Sequence, residues 1–294
     1  GYPRKVMIEI TPLNNYINKP SCPVINLRYV ENKPGIFLVH PIGGTVACYY
    51  SLIEALPPNY SLYAIQAAGI LDGLAPLRTI EELAACYESL IQTIQPTGPY
   101  YLAGWSFGGI IAYDLACRLT KRNEKIQFLG LIDSLFSWGR EDSLANEKFL
   151  ISLFINDLFN QNIAQEELYL AIEQDPNSHT ILKNTYEFCL QKGVFDNLIN
   201  YQIFCCLYEV FKSHNEAHIK FKPSVLDNTI YHFIAEEKSA NTEQSVNAWR
   251  LLTTNCQRVK MVLGNHYTMF SKANVSYLAS EFDKAVAYSL KESV

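Results

Sequence analysis

Short apolar runs alternate with amphipathic stretches along most of the chain. Six runs have the length of buried strands, at 35–40, 61–66, 99–104, 126–132, 229–235 and 258–263. Between the second and third runs, residues 79–95 carry apolar side chains at the spacing of one helical face, with Thr79 as a cap and Glu82 three positions on. This alternation predicts a mostly parallel sheet with helices on both faces, the α/β class.

One region departs from the alternation. Between 135 and 225 no strand pattern occurs, and helical patterns lie at 144–159, 166–172, 180–192 and 198–212. Helices that interrupt such a sheet must pack outside it, so we predict an inserted helical lid. The predicted parts are a leader or linker at 1–34, the first part of the core at 35–134, the lid at 135–225 and the second part of the core at 226–294.

The composition narrows the class of protein. Of the 294 residues 49% are hydrophobic and 18% charged, which is typical of a folded globular chain. The net charge of −5 includes no basic run, so we expect no nucleic-acid partner. No apolar stretch approaches the roughly 20 residues of a membrane span. The eight cysteines lack zinc-type spacing, so we expect a cytoplasmic protein with neither a metal nor a bound cofactor.

The stretch from Gly104 to Gly108, GWSFG, puts a serine between a predicted strand and a predicted helix. A tight turn there exposes the Ser106 hydroxyl above the sheet, and flanking glycines avoid collisions with neighbouring backbone. It also places the Phe107 amide at the start of a helix, where negative charge would be stabilised. We interpret Ser106 as a nucleophile; the alternative is a tight glycine-rich turn.

A serine nucleophile needs a base and an acid. His266, in LGNHYTMF, follows the last predicted strand and would lie at the same sheet edge as Ser106. Asp133 ends the strand after the nucleophile helix, whereas Glu236 and Glu237 end a later strand. Both positions give the chain order serine, acid, histidine, so strand ends alone leave the acid open.

A second oxyanion donor is expected from the loop after the first core strand. In FLVHPIGG, Pro41 has no amide hydrogen and Ile42 is the first residue that has one. We therefore predict the amides of Ile42 and Phe107 as the oxyanion hole. Ordinary turn chemistry is the alternative reason for the glycine pair.

With these residues in place, the sequence resembles the thioesterases of the α/β-hydrolase superfamily, which end polyketide synthases, nonribosomal peptide synthetases and fatty-acid synthases. The resemblance runs from residue 34 onward and rests on FLVHPIGG, QPTGPYYLAGWSFGG, GLIDS and GNHYTMF. It implies an α/β-hydrolase fold with a helical lid, and it assigns the acid to Asp133.

The resemblance also implies a substrate held as a thioester on the phosphopantetheine of an acyl or peptidyl carrier protein. The segment PVINLRYVENKPGIFLVH is similar to linkers that join such a carrier, N-terminal in the same polypeptide, to a terminal thioesterase. Release by hydrolysis or cyclisation through a Ser106 acyl-enzyme is the expected function. The alternatives are a lipase or esterase acting on free esters, a stand-alone editing thioesterase and a catalytically idle binding module.

Overall fold

The computed structural model describes residues 24–70, 73–136, 146–159, 165–172, 178–195 and 199–292. The first 23 residues of the predicted leader and parts of the predicted lid lie outside this description. Among the described helices, none is long and apolar enough to cross a lipid bilayer.

The described residues form one seven-stranded sheet in the order β1-β3-β2-β4-β5-β6-β7. The strands are β1 (Val24–Arg28), β2 (Gly35–Val39), β3 (Ser61–Ile65), β4 (Tyr100–Trp105), β5 (Ile126–Ile132), β6 (Ile230–Ala235) and β7 (Gln257–Val262). β1 pairs antiparallel with β3, and the other neighbours are parallel. Each predicted strand is present to within about a residue at its ends, and the α/β class is confirmed.

Nine helices accompany the sheet in the described part of the chain. They are α1 (Tyr49–Ala55), α2 (Ile80–Ile94), α3 (Phe107–Lys121), α4 (Glu147–Phe159), α5 (Gln165–Ile172), α6 (Ser178–Gln191), α7 (Tyr201–Lys220), α8 (Thr242–Leu251) and α9 (Val275–Lys291). The predicted cap of α2 is present, since the Thr79 hydroxyl accepts from the Glu82 amide at 3.1 Å. Satisfying an orphan amide in this way stabilises a helix by about 1 kcal/mol.

Two apolar layers hold the helices to the sheet. Along β5, Leu129 and Leu131 face the layer that contains α2 and α3, whereas Phe128 and Ile132 face the layer that contains α9. All four side chains are fully buried. Burying a large apolar side chain stabilises a fold by roughly 1.5–3 kcal/mol, so this central strand is a rigid base for the residues at its carboxyl end.

The predicted leader needs one correction. The prediction placed 1–34 outside the core, but Val24–Arg28 forms an edge strand whose Ile25 pairs with Ala64 of β3. Ile25 alone in this strand is buried, so the segment lacks the apolar pattern of the inner strands. The Arg28 guanidinium also donates to the Leu56 carbonyl at 2.8 Å and fixes the strand to the end of α1.

Helices α4 to α7 lie between β5 and β6 and share an apolar cluster of their own, which includes Phe154, Phe204 and Phe211. The cluster extends to Ala67 and Ile70 in the loop after β3, so the insertion packs directly on the core. The predicted end of the fourth helix at residue 212 is wrong. α7 continues to Lys220, and the additional turns pack against the loop that follows β2.

Candidate active site

Ser106 occupies the sharp turn between β4 and α3. Its φ of 55° lies in the left-handed region, and its amide donates to the Ile132 carbonyl at 2.8 Å. A Cβ on Gly104 would lie 2.2 Å from the Gly108 carbonyl carbon, and one on Gly108 would lie 2.2 Å from the Val39 carbonyl oxygen. Only glycine fits at both positions, and the turn presents a partly exposed Ser106 at the start of α3.

Asp133 and His266 form a close pair at the same edge of the sheet. Asp133 follows β5 with a φ of 44° and is only 2% exposed. Its Oδ2 lies 2.7 Å from His266 Nδ1, and its Oδ1 accepts from the Ala235 amide at 3.1 Å. Because a carboxylate only accepts, Nδ1 of the neutral imidazole carries the proton and Nε2 is left as the basic nitrogen.

The two alternative acids lie elsewhere. Glu236 and Glu237 follow β6 and are exposed, and they make their hydrogen bonds through the backbone, from the Glu236 amide to the Val262 carbonyl at 2.8 Å and from the Glu237 amide to the Gly264 carbonyl at 3.0 Å. Of the three candidate carboxylates, Asp133 is the one that the structure brings to His266.

Trp105, the residue before Ser106, joins the serine turn to the histidine loop. Its indole nitrogen donates to the His266 carbonyl at 3.1 Å, and the two ring centroids are 5.2 Å apart. In the described part of the chain no hydrogen bond joins the Ser106 hydroxyl to the His266 ring. Contact between nucleophile and base therefore stays a prediction.

The loop after β2 directs the Ile42 amide. The Pro41 carbonyl accepts from His40 Nδ1 at 2.8 Å and from the Gly44 amide at 2.9 Å. Since the C=O and N–H of a trans peptide point in opposite directions, the Ile42 N–H is turned away from these donors. Neither it nor the Phe107 amide, which is the first of α3, donates to another described residue.

Sequence reasoning did not assign a role to His214 of α7. Its Nδ1 lies 2.7 Å from the Ile42 carbonyl, and burial lowers its pKa to about 4. Burial, and secondarily His214, also lowers the pKa of His40 well below its ordinary value, so both rings are neutral at neutral pH. A single histidine on a helix carries no spacing signal, so nothing in the sequence points to this contact.

A carboxylate from the insertion reaches the same region. Asp157 of α4 accepts a hydrogen bond from the hydroxyl of Tyr267 at 3.0 Å. Tyr267 is the residue that follows His266 in the chain. Its other oxygen would lie 3.8 Å from a Cβ on Gly43. Asp157 thus lies between the histidine loop and the loop that contains Ile42. The sequence pattern around Asp157 predicted a helix but neither of these two contacts.

The sheet order, the serine turn and the Asp133–His266 pair define an α/β-hydrolase fold with a serine, an acid and a histidine at the carboxyl edge of the sheet. Residues 34–168 match the family model of the thioesterase domain. This match confirms the resemblance to thioesterases that the sequence motifs show.

The similar proteins are multidomain synthetases. The nonribosomal peptide synthetase pngA of Aspergillus terreus is 39% identical over 38% of this chain and 12% of its own length. Malpibaldin synthetase of Mortierella alpina is 28% identical over 84% of this chain and 4% of its own. The crystal structure of holo-AB3403, a four-domain nonribosomal peptide synthetase bound to AMP and glycine, superposes with a TM-score of 0.80 at 27% identity, over 92% of this chain and 21% of that one. The chain thus spans a small part of each of these proteins.

Proposed function

We propose that this domain releases an acyl or peptidyl chain from the phosphopantetheine thiol of a carrier protein through an ester on Ser106. The observation that carries the proposal is the 2.7 Å contact between Asp133 and His266 beside the Ser106 turn, within a thioesterase domain. The similar proteins are synthetases, which supports a carrier-bound substrate. The domain itself needs no bound cofactor in this scheme.

Acylation begins when Ser106 Oγ attacks the thioester carbonyl carbon and its proton passes to His266 Nε2. Asp133 stabilises the resulting imidazolium through Nδ1. The amides of Ile42 and Phe107 donate to the oxyanion, an effect that is worth about 3–4 kcal/mol per donor in comparable sites. The C–S bond then breaks, and His266 returns the proton to the departing thiolate.

Release repeats these steps with a second nucleophile. His266 Nε2 takes a proton from water, or from a hydroxyl or amine of the bound chain, and the nucleophile attacks the ester carbonyl. Collapse of the second oxyanion returns the proton to Ser106 Oγ. Water yields a free acid, and an internal nucleophile yields a lactone or lactam, with the same residues acting in either case.

The first experiment tests the nucleophile. Wild type and Ser106→Ala are incubated with an alkyl fluorophosphonate and with octanoyl-N-acetylcysteamine, and the covalent mass is located by peptide mass spectrometry. We expect phosphonyl and octanoyl adducts on Ser106 in the wild type and none in the variant. A wild type that gains no adduct would contradict the proposal.

The second experiment tests the substrate class. Octanoyl is presented on a phosphopantetheinylated carrier protein, as the N-acetylcysteamine thioester and as the p-nitrophenyl ester. We expect kcat/KM to be highest for the carrier-bound thioester, because the carrier adds binding surface. A clear preference for the p-nitrophenyl ester would favour an esterase instead.

A further inference from the structure

His214 contacts both residues whose amides are the proposed oxyanion donors. Its Nδ1 lies 2.7 Å from the Ile42 carbonyl, and its ring stacks on Phe107 with centroids 5.0 Å apart and planes at 25°. A carbonyl only accepts, so Nδ1 carries the proton and donates. The side chain is fully buried, so water does not compete for this bond. One residue of the helical insertion thus touches both sides of the proposed oxyanion hole.

The Ile42 backbone is held by a histidine on each side. His40 Nδ1 donates to the Pro41 carbonyl at 2.8 Å, and His214 donates to the Ile42 carbonyl. These carbonyls belong to the two planar peptide groups that flank the Ile42 Cα. Rotation of either peptide breaks a buried hydrogen bond, which is unfavourable. Together the two bonds set the direction of the Ile42 N–H.

The two histidines also support each other. Their rings stack with centroids 4.9 Å apart and planes at 14°, and His40 Nε2 lies 2.5 Å from the Tyr87 hydroxyl of α2. Since His40 Nδ1 carries its proton, Nε2 accepts from Tyr87. A chain of contacts therefore runs from α2 through His40 and His214 to α7, and each of the two rings donates to one carbonyl of the Ile42 loop.

The surroundings of His214 argue against a packing role alone. Its Nε2 is buried without a hydrogen-bond partner among the described residues, and an unpaired buried nitrogen is unfavourable. Beside the aromatic rings of Phe107 and His40, a phenylalanine would pack without that penalty. What a phenylalanine cannot supply is the N–H that His214 donates to Ile42.

We propose that His214 is a positioning residue, which holds the Ile42 amide in the direction needed to stabilise the oxyanion. The packing of α7 against the core then determines whether the oxyanion hole is formed, so the insertion acts on catalysis as well as on substrate access. This inference rests on the proposed function, because it requires attack by Ser106.

The test uses His214→Phe and His214→Asn in the full chain. Asparagine places a side-chain amide donor near the position of Nδ1, and phenylalanine has none. With octanoyl-N-acetylcysteamine we expect His214→Phe to lower kcat by about 10- to 100-fold with KM changed by less than about threefold, because the interaction acts in the transition state. His214→Asn should recover most of the kcat. Phosphonylation of Ser106 by the fluorophosphonate should slow in parallel.

The control is Phe211→Leu, which removes the ring contact of the same helix with Phe154 and leaves the His214 hydrogen bond to the Ile42 carbonyl in place. We expect its kcat to stay within about threefold of the wild type. The inference fails if Phe211→Leu and His214→Phe lose kcat equally, if His214→Phe changes KM alone, or if the asparagine variant is no better than phenylalanine. A wild type that is not phosphonylated removes the proposed function itself, whereas a labelled wild type with an equally fast His214→Phe removes only the role of His214.

Discussion

The Asp133 carboxyl group divides its two oxygens between the backbone and the imidazole. Oδ1 accepts from the Ala235 amide and Oδ2 faces His266 Nδ1. A backbone amide can only donate, so whichever atom faces Ala235 must be an acceptor. This division fixes the orientation of the side chain and, through it, the tautomer of the histidine.

Asp133→Asn should therefore be far more damaging than its small change in shape suggests. The Ala235 amide requires the side-chain oxygen of the asparagine as its acceptor, so the NH₂ group faces His266 Nδ1. Nδ1 must then accept, the imidazole proton moves to Nε2, and Nε2 can no longer take the proton of Ser106. We expect kcat on octanoyl-N-acetylcysteamine to fall by about 10³- to 10⁴-fold. The matched control is Glu236→Gln, which is exposed and should stay within about threefold. A larger loss in Glu236→Gln would move the acid to the end of β6.

The positions of the strand ends could be predicted from the sequence, whereas most contacts between side chains could not. The carboxyl ends of β5 and β7 bring Asp133 and His266 to one edge because both strands are parallel. Choosing Asp133 over Glu236 needed either the family resemblance or the coordinates, because both acids end strands. His214 was beyond reach, since its contact with Ile42 depends on how α7 packs on a loop 172 residues away.

The two elements that the sequence pattern did not predict, β1 and α8, bury few large apolar side chains. β5 is buried along its whole length and reads as an apolar run, whereas β1 buries Ile25 alone and lies at the sheet edge. Nothing in the pattern of β1 distinguishes it from a linker. α8 escaped prediction for a related reason: it is ten residues long and buries Thr242, Ser245 and Trp249, of which only Trp249 is a large apolar residue.

At the scale of elements, close packing of α3 on the sheet fixes the serine turn. A Cβ on Gly108 would lie 2.2 Å from the Val39 carbonyl oxygen and 2.7 Å from that of His40. Both are backbone atoms of β2 and the loop after it, so neither can move aside as a flexible side chain would. The turn therefore depends on the absence of a side chain where helix and strand meet.

Gly108→Ala should lower the free energy of unfolding by about 3 kcal/mol or more, because it forces α3 away from β2. Gly43→Ala is the control, since the nearest atom to its Cβ would be an Asp157 oxygen at 3.8 Å, an ordinary contact. We expect a change below about 1 kcal/mol there. Urea unfolding of both variants measures the difference. Equal stability of Gly108→Ala and the wild type would show that the helix is not held as closely as the structure has it.

At the scale of the whole molecule, three buried histidines should make the free energy of unfolding depend on pH between 7 and 5. His214 and His232 are fully buried, and burial lowers the pKa of each to about 4. Burial lowers the pKa of His40 well below its ordinary value too. Both ring nitrogens of His232 are buried without hydrogen-bond partners among the described residues. Replacing the neutral ring by an apolar side chain therefore breaks no hydrogen bond.

Between pH 7 and pH 5 these histidines become protonated in the unfolded chain but not in the folded chain. The unfolded state therefore binds more protons, and the free energy of unfolding decreases as the pH is lowered. For a pKa of about 4 against an ordinary 6.5, each histidine accounts for a loss of about 2 kcal/mol over this interval.

His232→Leu should unfold at pH 7 much as the wild type does, and should lose about 2 kcal/mol less than the wild type on transfer to pH 5. Burial raises the pKa of Asp114 to about 6, which acts in the opposite direction, but it is present in both proteins and cancels in the comparison. Urea unfolding of the two proteins at both pH values measures this difference, and equal losses would mean that the ring of His232 is hydrated or paired in solution.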